Sequence, residues 1–279
     1  MLPTTASHVT RTRRLGHLWI CCTCLLILFL VGSRSAHYSP WPSSSSGNAQ
    51  EPLGNASSQT LDVDLIVASQ AKDNTTWLLD EFADWRKLIY VTDDPKAALT
   101  VPRNKGREGM VYLTHIIDNY DELAKIIIFS HANRYQWHND DSLYEGQRVL
   151  SRLRLAHIQD QGYANLRCVW TLGCPSEIRP HVEAEAPSPA SDPASRNARA
   201  GSFYKNAFEE LLPGVTVPDV VGAACCAQFA VTAERIRQRP KSDYERYRTW
   251  LLQTELNDDL AGRIIEYLWH IIFGQDAVF

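Results

Sequence analysis

The chain has 279 residues, of which 44% are hydrophobic and 22% charged, and its net charge is −4. A mildly acidic total excludes a broad DNA-coating surface and leaves room only for a local basic groove. The length allows one sizeable α/β domain beyond a leader segment.

Arg11, Arg13 and Arg14 precede the uncharged run LGHLWICCTCLLILFLV at 15–31. That run predicts a transmembrane signal anchor over 15–32, with residues 1–14 as a cytosolic tail. A signal peptide cut near GSRSA is the rival reading. The arginine bias places the body in the ER or Golgi lumen as a single-pass, type II protein. Cys21, Cys22 and Cys24 read as small apolar filler of the span. Residues 33–60, rich in Ser, Pro, Gly and Asn, predict a disordered stem. Two sequons, at Asn55 and Asn74, agree with a luminal body as glycosylation sites.

From residue 61 to 279, strand and helix signals alternate. LDVDLIVASQ predicts a first strand, WLLDEFADW a short helix, and KLIYVTDD a second strand ending in Asp93 and Asp94, which read as a turn or a ribose or cation contact. In GMVYLTHIIDNYDEL, Tyr112, Leu113, Ile116, Ile117 and Tyr120 form one helical face. IIIFSHAN predicts a third strand buried on both sides. VLSRLRLAHI reads as a helix and GYANLRC as extended. The segment at about 182–202, VEAEAPSPASDPASRNARAGS, reads as a low-complexity loop. FEELLPG predicts a helical turn, AACCAQFAV a further strand, and SDYERYRTWLLQTE and GRIIEYLWHIIFG helices. The alternation predicts a mostly parallel sheet flanked by helices, with ligands at the carboxyl ends of the strands.

Five groups of residues carry the candidate chemistry. Asn104, Lys105, Gly106 and Arg107 form a basic loop ahead of a helix, suited either to an anionic substrate group or simply to starting that helix. His131, Arg134, Trp137, His138, Asp140 and Asp141 follow the third strand. The histidines and acids suit proton transfer or a divalent metal ion at Asp140 and Asp141, and Trp137 suits stacking; a polar loop with its aromatics packed back on the sheet is the alternative. Glu266 lies inside an apolar helix, as a general base in a cleft or as the partner of Arg263 or His270. Cys168 and Cys174 are near enough in sequence to close a disulfide loop. Cys225 and Cys226 read as small core residues or as a nucleophilic thiol.

The blocks NKGREGMVYLTHIIDNYDEL, IIIFSHANRYQWHND, GYANLRC, CCAQFAV and GRIIEYLWHIIFG together resemble a fungal family long classed as a domain of unknown function, across most of residues 61–274. Their order also resembles a glycosyltransferase-A core. That likeness implies a nucleotide-sugar donor and a metal held by a DxD motif, from which NDD at 139–141 departs. A further resemblance, to the arginine-containing cyclodipeptide synthases, implies a biosynthetic enzyme of fungal secondary metabolism that joins arginine to a second amino acid from aminoacyl-tRNA. Three functions follow as expectations: a cyclodipeptide synthase with Glu266 or His131 as base, a type II membrane glycosyltransferase, and a non-catalytic membrane-anchored binding domain.

Overall fold

The structure is a computed structural model that describes residues 62–169, 174, 176–185, 187, 191–193 and 198–279. The expected anchor, stem and Asn55 lie outside the described residues. Among the described residues no helix is long and apolar enough to cross a membrane.

A five-stranded sheet in the order β2-β1-β3-β5-β4 forms the centre. Its strands are β1 (Val63–Ser69), β2 (Arg86–Val91), β3 (Ile126–His131), β4 (Tyr163–Asn165) and β5 (Phe229–Thr232). β1 runs parallel to β2 and β3, whereas β5 is antiparallel to both β3 and β4. The sheet is therefore mixed rather than mostly parallel. Only the second half of AACCAQFAV is strand, because Cys226 and Ala227 adopt positive φ and break the extended run.

Alternation along the strands sends side chains into two cores. Ile66, Ile127, Phe129, Phe229 and Val231 face one layer of helices. That layer holds α2 (Glu108–Asp118), α6 (Ala200–Leu211), α8 (Lys241–Gln253), α9 (Asp258–Glu266) and α10 (Trp269–Ile272). Val63, Leu65, Val67, Ile126, Ile128 and Ala230 face the opposite layer, built from α1 (Thr76–Asp80), α3 (Gly146–Ser151) and α4 (Leu155–Gln161). Two short helices, α5 (Pro180–Glu183) and α7 (Ala233–Ile236), complete the described elements. Part of the segment at 182–202 falls outside the description, but α6 already begins at Ala200.

Two predicted helices are each split. VLSRLRLAHI divides at Arg154, which is extended, into α3 and α4, and Val149, Leu150 and Ile158 still reach one core. GRIIEYLWHIIFG divides between α9 and α10, where the carbonyl of Tyr267 leaves the helical ladder and accepts the Tyr204 hydroxyl at 2.8 Å. The helix α2 is buried on every side from Gly109 to Ile117, not on one face, because β1 lies beneath it and α8 and α9 lie beside it.

Candidate functional site

β3 carries the chain to His131 and then into the loop of residues 132–145. Two buried amides hold that loop. Asn139 donates to the carbonyls of Arg134 (3.0 Å) and Tyr144 (2.9 Å). Gln228, just before β5, donates to Asn139 Oδ1 (3.3 Å) and accepts from the His131 amide (3.2 Å). The sequence marked neither residue, although Gln228 is the one long polar side chain within AACCAQFAV.

The loop delivers an aromatic stack. The rings of His131 and His138 lie parallel with centroids 4.8 Å apart, and Trp137 packs on His138 at 4.1 Å. Arg167 lies over the Trp137 ring and donates to the carbonyls of Trp137 (3.0 Å) and His138 (3.2 Å). Burial, then the neighbouring His131 and the guanidinium groups of Arg167, Arg107 and Arg263, lower the His138 pKa to about 4. Three arginines from three parts of the fold thus bear on one point.

Glu266 ends α9 beside this stack. Its side chain is only 9% exposed. Oε1 accepts the Cys226 amide at 2.6 Å, and Oε2 lies 3.4 Å from Arg263 Nε. The Cys226 carbonyl in turn accepts His131 Nε2 at 2.8 Å. A carbonyl only accepts, so Nε2 carries the hydrogen and the neutral ring leaves Nδ1 as its acceptor. One residue's backbone therefore joins the two expected proton carriers. Burial raises the Glu266 pKa and Glu108 adds to the rise, whereas Arg263, the Cys226 amide and His131 oppose it. Such a carboxylate gains when it takes up a proton, as a general base requires.

Arg107 reaches the same region across Gly262. A Cβ at residue 262 would lie 3.0 Å from the Arg107 stem, so glycine permits the crossing. Arg107 has φ 54°, and Cys226 and Ala227 have φ 89° and 45°. Non-glycine residues in this region store about 1–3 kcal/mol each and gather at functional sites. Among the described residues, His138 Nδ1, Arg167 Nε and Tyr112 Oη are buried without a hydrogen-bond partner.

The structure thus brings together Glu266, His131, His138, Trp137 and Arg107, pairs Glu266 with Arg263 as its expected alternative partner, and adds Arg167. It places the other candidates elsewhere. Lys105 donates to the Thr254 carbonyl, and the Gly106 amide donates to Asp258 (3.1 Å). Arg107 also pairs with Asp259 at 2.5 Å. The basic loop is therefore largely neutralised by the first turn of α9, and Asn104 stays at the surface. Arg134 is spent on Glu145, at 2.6 Å.

The acid pair is held by partners within the protein. Asp140 accepts the amides of Cys168 (2.7 Å) and Val169 (3.2 Å). Asp141 accepts the Leu143 amide at 2.9 Å and pairs with Arg152 and Arg148. Their oxygens diverge to separate partners, which does not fit a shared divalent cation. Among the described residues no group of three or more His, Cys, Asp or Glu side chains is placed to hold one. The expected Cys168–Cys174 disulfide is not formed: both are free thiols, with Cys168 drawn to Asp140 through its amide. The disulfide joins Cys225 to Cys226 instead.

A family described as "Protein of unknown function (DUF3431)" matches residues 65–279. The chain belongs to the DUF3431 family. The match runs from Leu65, within β1, through α10, so the whole site falls within the DUF3431 region. No curated protein and no solved structure matches the chain.

Proposed function

We propose that this DUF3431 protein is a group-transferring biosynthetic enzyme whose general base is Glu266. The observation that carries the reading is a buried carboxylate, gripped by the Cys226 amide and Arg263, beside a histidine stack and three arginines. The arginines suit a donor with phosphate groups, and the carboxylate suits taking a proton from an attacking amine or hydroxyl. The specific reading is an arginine-containing cyclodipeptide synthase, supported by the resemblance of the sequence blocks. One aminoacyl-tRNA ester accepts the amine of the other, Glu266 takes the amine proton, and tRNA leaves with its 3′ hydroxyl. The free amine of the resulting dipeptidyl-tRNA then attacks the remaining ester, which closes the cyclo-Arg-Xaa ring and releases the second tRNA with its 3′ hydroxyl. Expression of the full chain in a fungal host, followed by mass spectrometry, is expected to reveal such diketopiperazines. Glu266→Gln lowers their yield about 10²–10⁴-fold. Repeated absence of product from a well-expressed strain, or an unchanged yield in the variant, would overturn the reading.

A type II membrane glycosyltransferase is the second reading, and Asn74 favours it. Asn74 is exposed, and its Oδ1 accepts the Thr76 hydroxyl at 2.7 Å, which leaves its nitrogen free in a sequon. A glycosylated Asn74 would put the body in the lumen, away from charged tRNA. In that reading Glu266 deprotonates an acceptor hydroxyl and no step runs through a metal at Asp140 and Asp141.

A further inference from the structure

The bonded pair Cys225–Cys226 stands at the centre of the site without a part in the proposed chemistry. Both cysteines are buried, at 2% and 5% exposure. The amide of Cys226 holds Glu266 and its carbonyl holds His131. Both groups project from one peptide segment at positive φ, a conformation that cysteine and alanine do not favour on their own. Arg167, which frames His138, also lies 3.9 Å from the Cys226 sulfur. A covalent link between adjacent side chains fixes this segment far more tightly than two free thiols would.

We propose that the Cys225–Cys226 disulfide is the positioning device of the site: it holds the Cys226 amide on Glu266 and the Cys226 carbonyl on His131, so that its reduction retunes the base. The disulfide breaks when an external dithiol supplies two electrons and two protons; two cysteine thiols form and the dithiol closes to its own disulfide. The freed segment relaxes towards ordinary φ and withdraws the amide from Glu266. An amide donor favours the carboxylate form, so its loss raises the Glu266 pKa. The groups that remain around Glu266 are Arg263 and Tyr267 on its own helix or just after it, Glu108 and Tyr112 from α2, His131 from β3, and Glu177, which pairs with Arg263 at 3.8 Å. Arg263 already faces the other oxygen, and neither the Tyr112 nor the Tyr267 hydroxyl bonds Glu266 in this structure.

The inference rests on Glu266 as the base, and the test separates the two ideas. Full-length protein is denatured and alkylated without reduction, and peptide mass spectrometry reads Cys225 and Cys226. They are expected to be unlabelled, and labelled only after dithiothreitol. Difference infrared spectroscopy, with Glu266→Gln identifying the band, then follows the Glu266 carboxyl against pH in oxidised protein, in reduced protein and in the Cys225→Ser/Cys226→Ser variant. Circular dichroism confirms that each sample is folded; the reduced wild type serves if the variant is not. The midpoint is expected to rise by about one unit on reduction. Full labelling without reductant, or a midpoint that stays put, overturns the inference. A shifted midpoint in a protein that makes no product upholds the positioning role and counts against the proposed reaction alone.

Discussion

Two histidines buried in the core make the protein acid-sensitive, and the size of the effect follows from their surroundings. His115, in α2, touches the Tyr90 hydroxyl and the Asn119 amide at 3.3 Å each, and His270 meets the Ala277 carbonyl at 3.0 Å. Burial lowers each pKa from 6.5 to about 4; for His115 the Arg86 charge adds to the fall, while for His270 the Ala277 bond opposes it. A pKa depressed on folding gives stability that is present above the unfolded value and lost as pH falls from 6.5 towards 4. At pH 4.5 an unfolded histidine is about 100-fold protonated over neutral, and the folded one is still mostly neutral. The pair then costs about 5 kcal/mol relative to neutral pH, a large share of an ordinary domain's stability. Urea unfolding at pH 7 and pH 4.5 measures the loss. His115→Gln keeps a polar group beside Tyr90 but does not titrate, and it is expected to remove about half of the contribution of this pair. A variant with the same difference between the two pH values would refute the assignment.

Three other perturbations bear on the site. Gly262→Ala puts a methyl about 3.0 Å from the Arg107 stem, which must shift and loosen its pair with Asp259; the KM for the donor is expected to rise up to about tenfold with little change in kcat, at most the loss of one charge-assisted hydrogen bond. Asn139→Ala removes two bonds to loop carbonyls and one from Gln228; it is expected to cost about 2–3 kcal/mol in chemical unfolding and to free the fluorescence of Trp137. Asn74→Gln is expected to abolish a glycosidase-sensitive mobility shift in the full chain if the body is luminal, and an unshifted wild type would remove the support that Asn74 lends to the glycosyltransferase reading.

The sequence disclosed the parts of the fold that are buried on both faces. β3 reads as a continuous apolar run because helices cover both sides of the sheet at its centre, and β1 reads the same way apart from Asp64, which pairs with Arg86. The direction of β5 was not legible, since residues 229–232 pair with strands far behind them in the chain. Glu266 stood out because a carboxylate in an apolar helix needs a reason. Asp140 and Asp141 take partners that the sequence did not name: Asp141 the Leu143 amide two residues on and the side chains of Arg148 and Arg152, Asp140 the amides of Cys168 and Val169. The arginine group was only partly legible: Arg107 had a motif, whereas Arg167 and Arg263 come to His138 through folding alone.

The late arrival of β5 has a consequence for biosynthesis. β4 is only Tyr163–Asn165, and its partner within the sheet is β5 alone, at Phe229–Thr232. β3 likewise leaves one edge open until that strand is made. At roughly 5–20 residues per second, a ribosome takes on the order of 5–20 s to travel from the end of β3 to the start of β5. During that interval the nascent chain displays an apolar strand edge formed by Ile126, Ile127, Ile128 and Phe129, so chaperone cover is needed most over this stretch of translation.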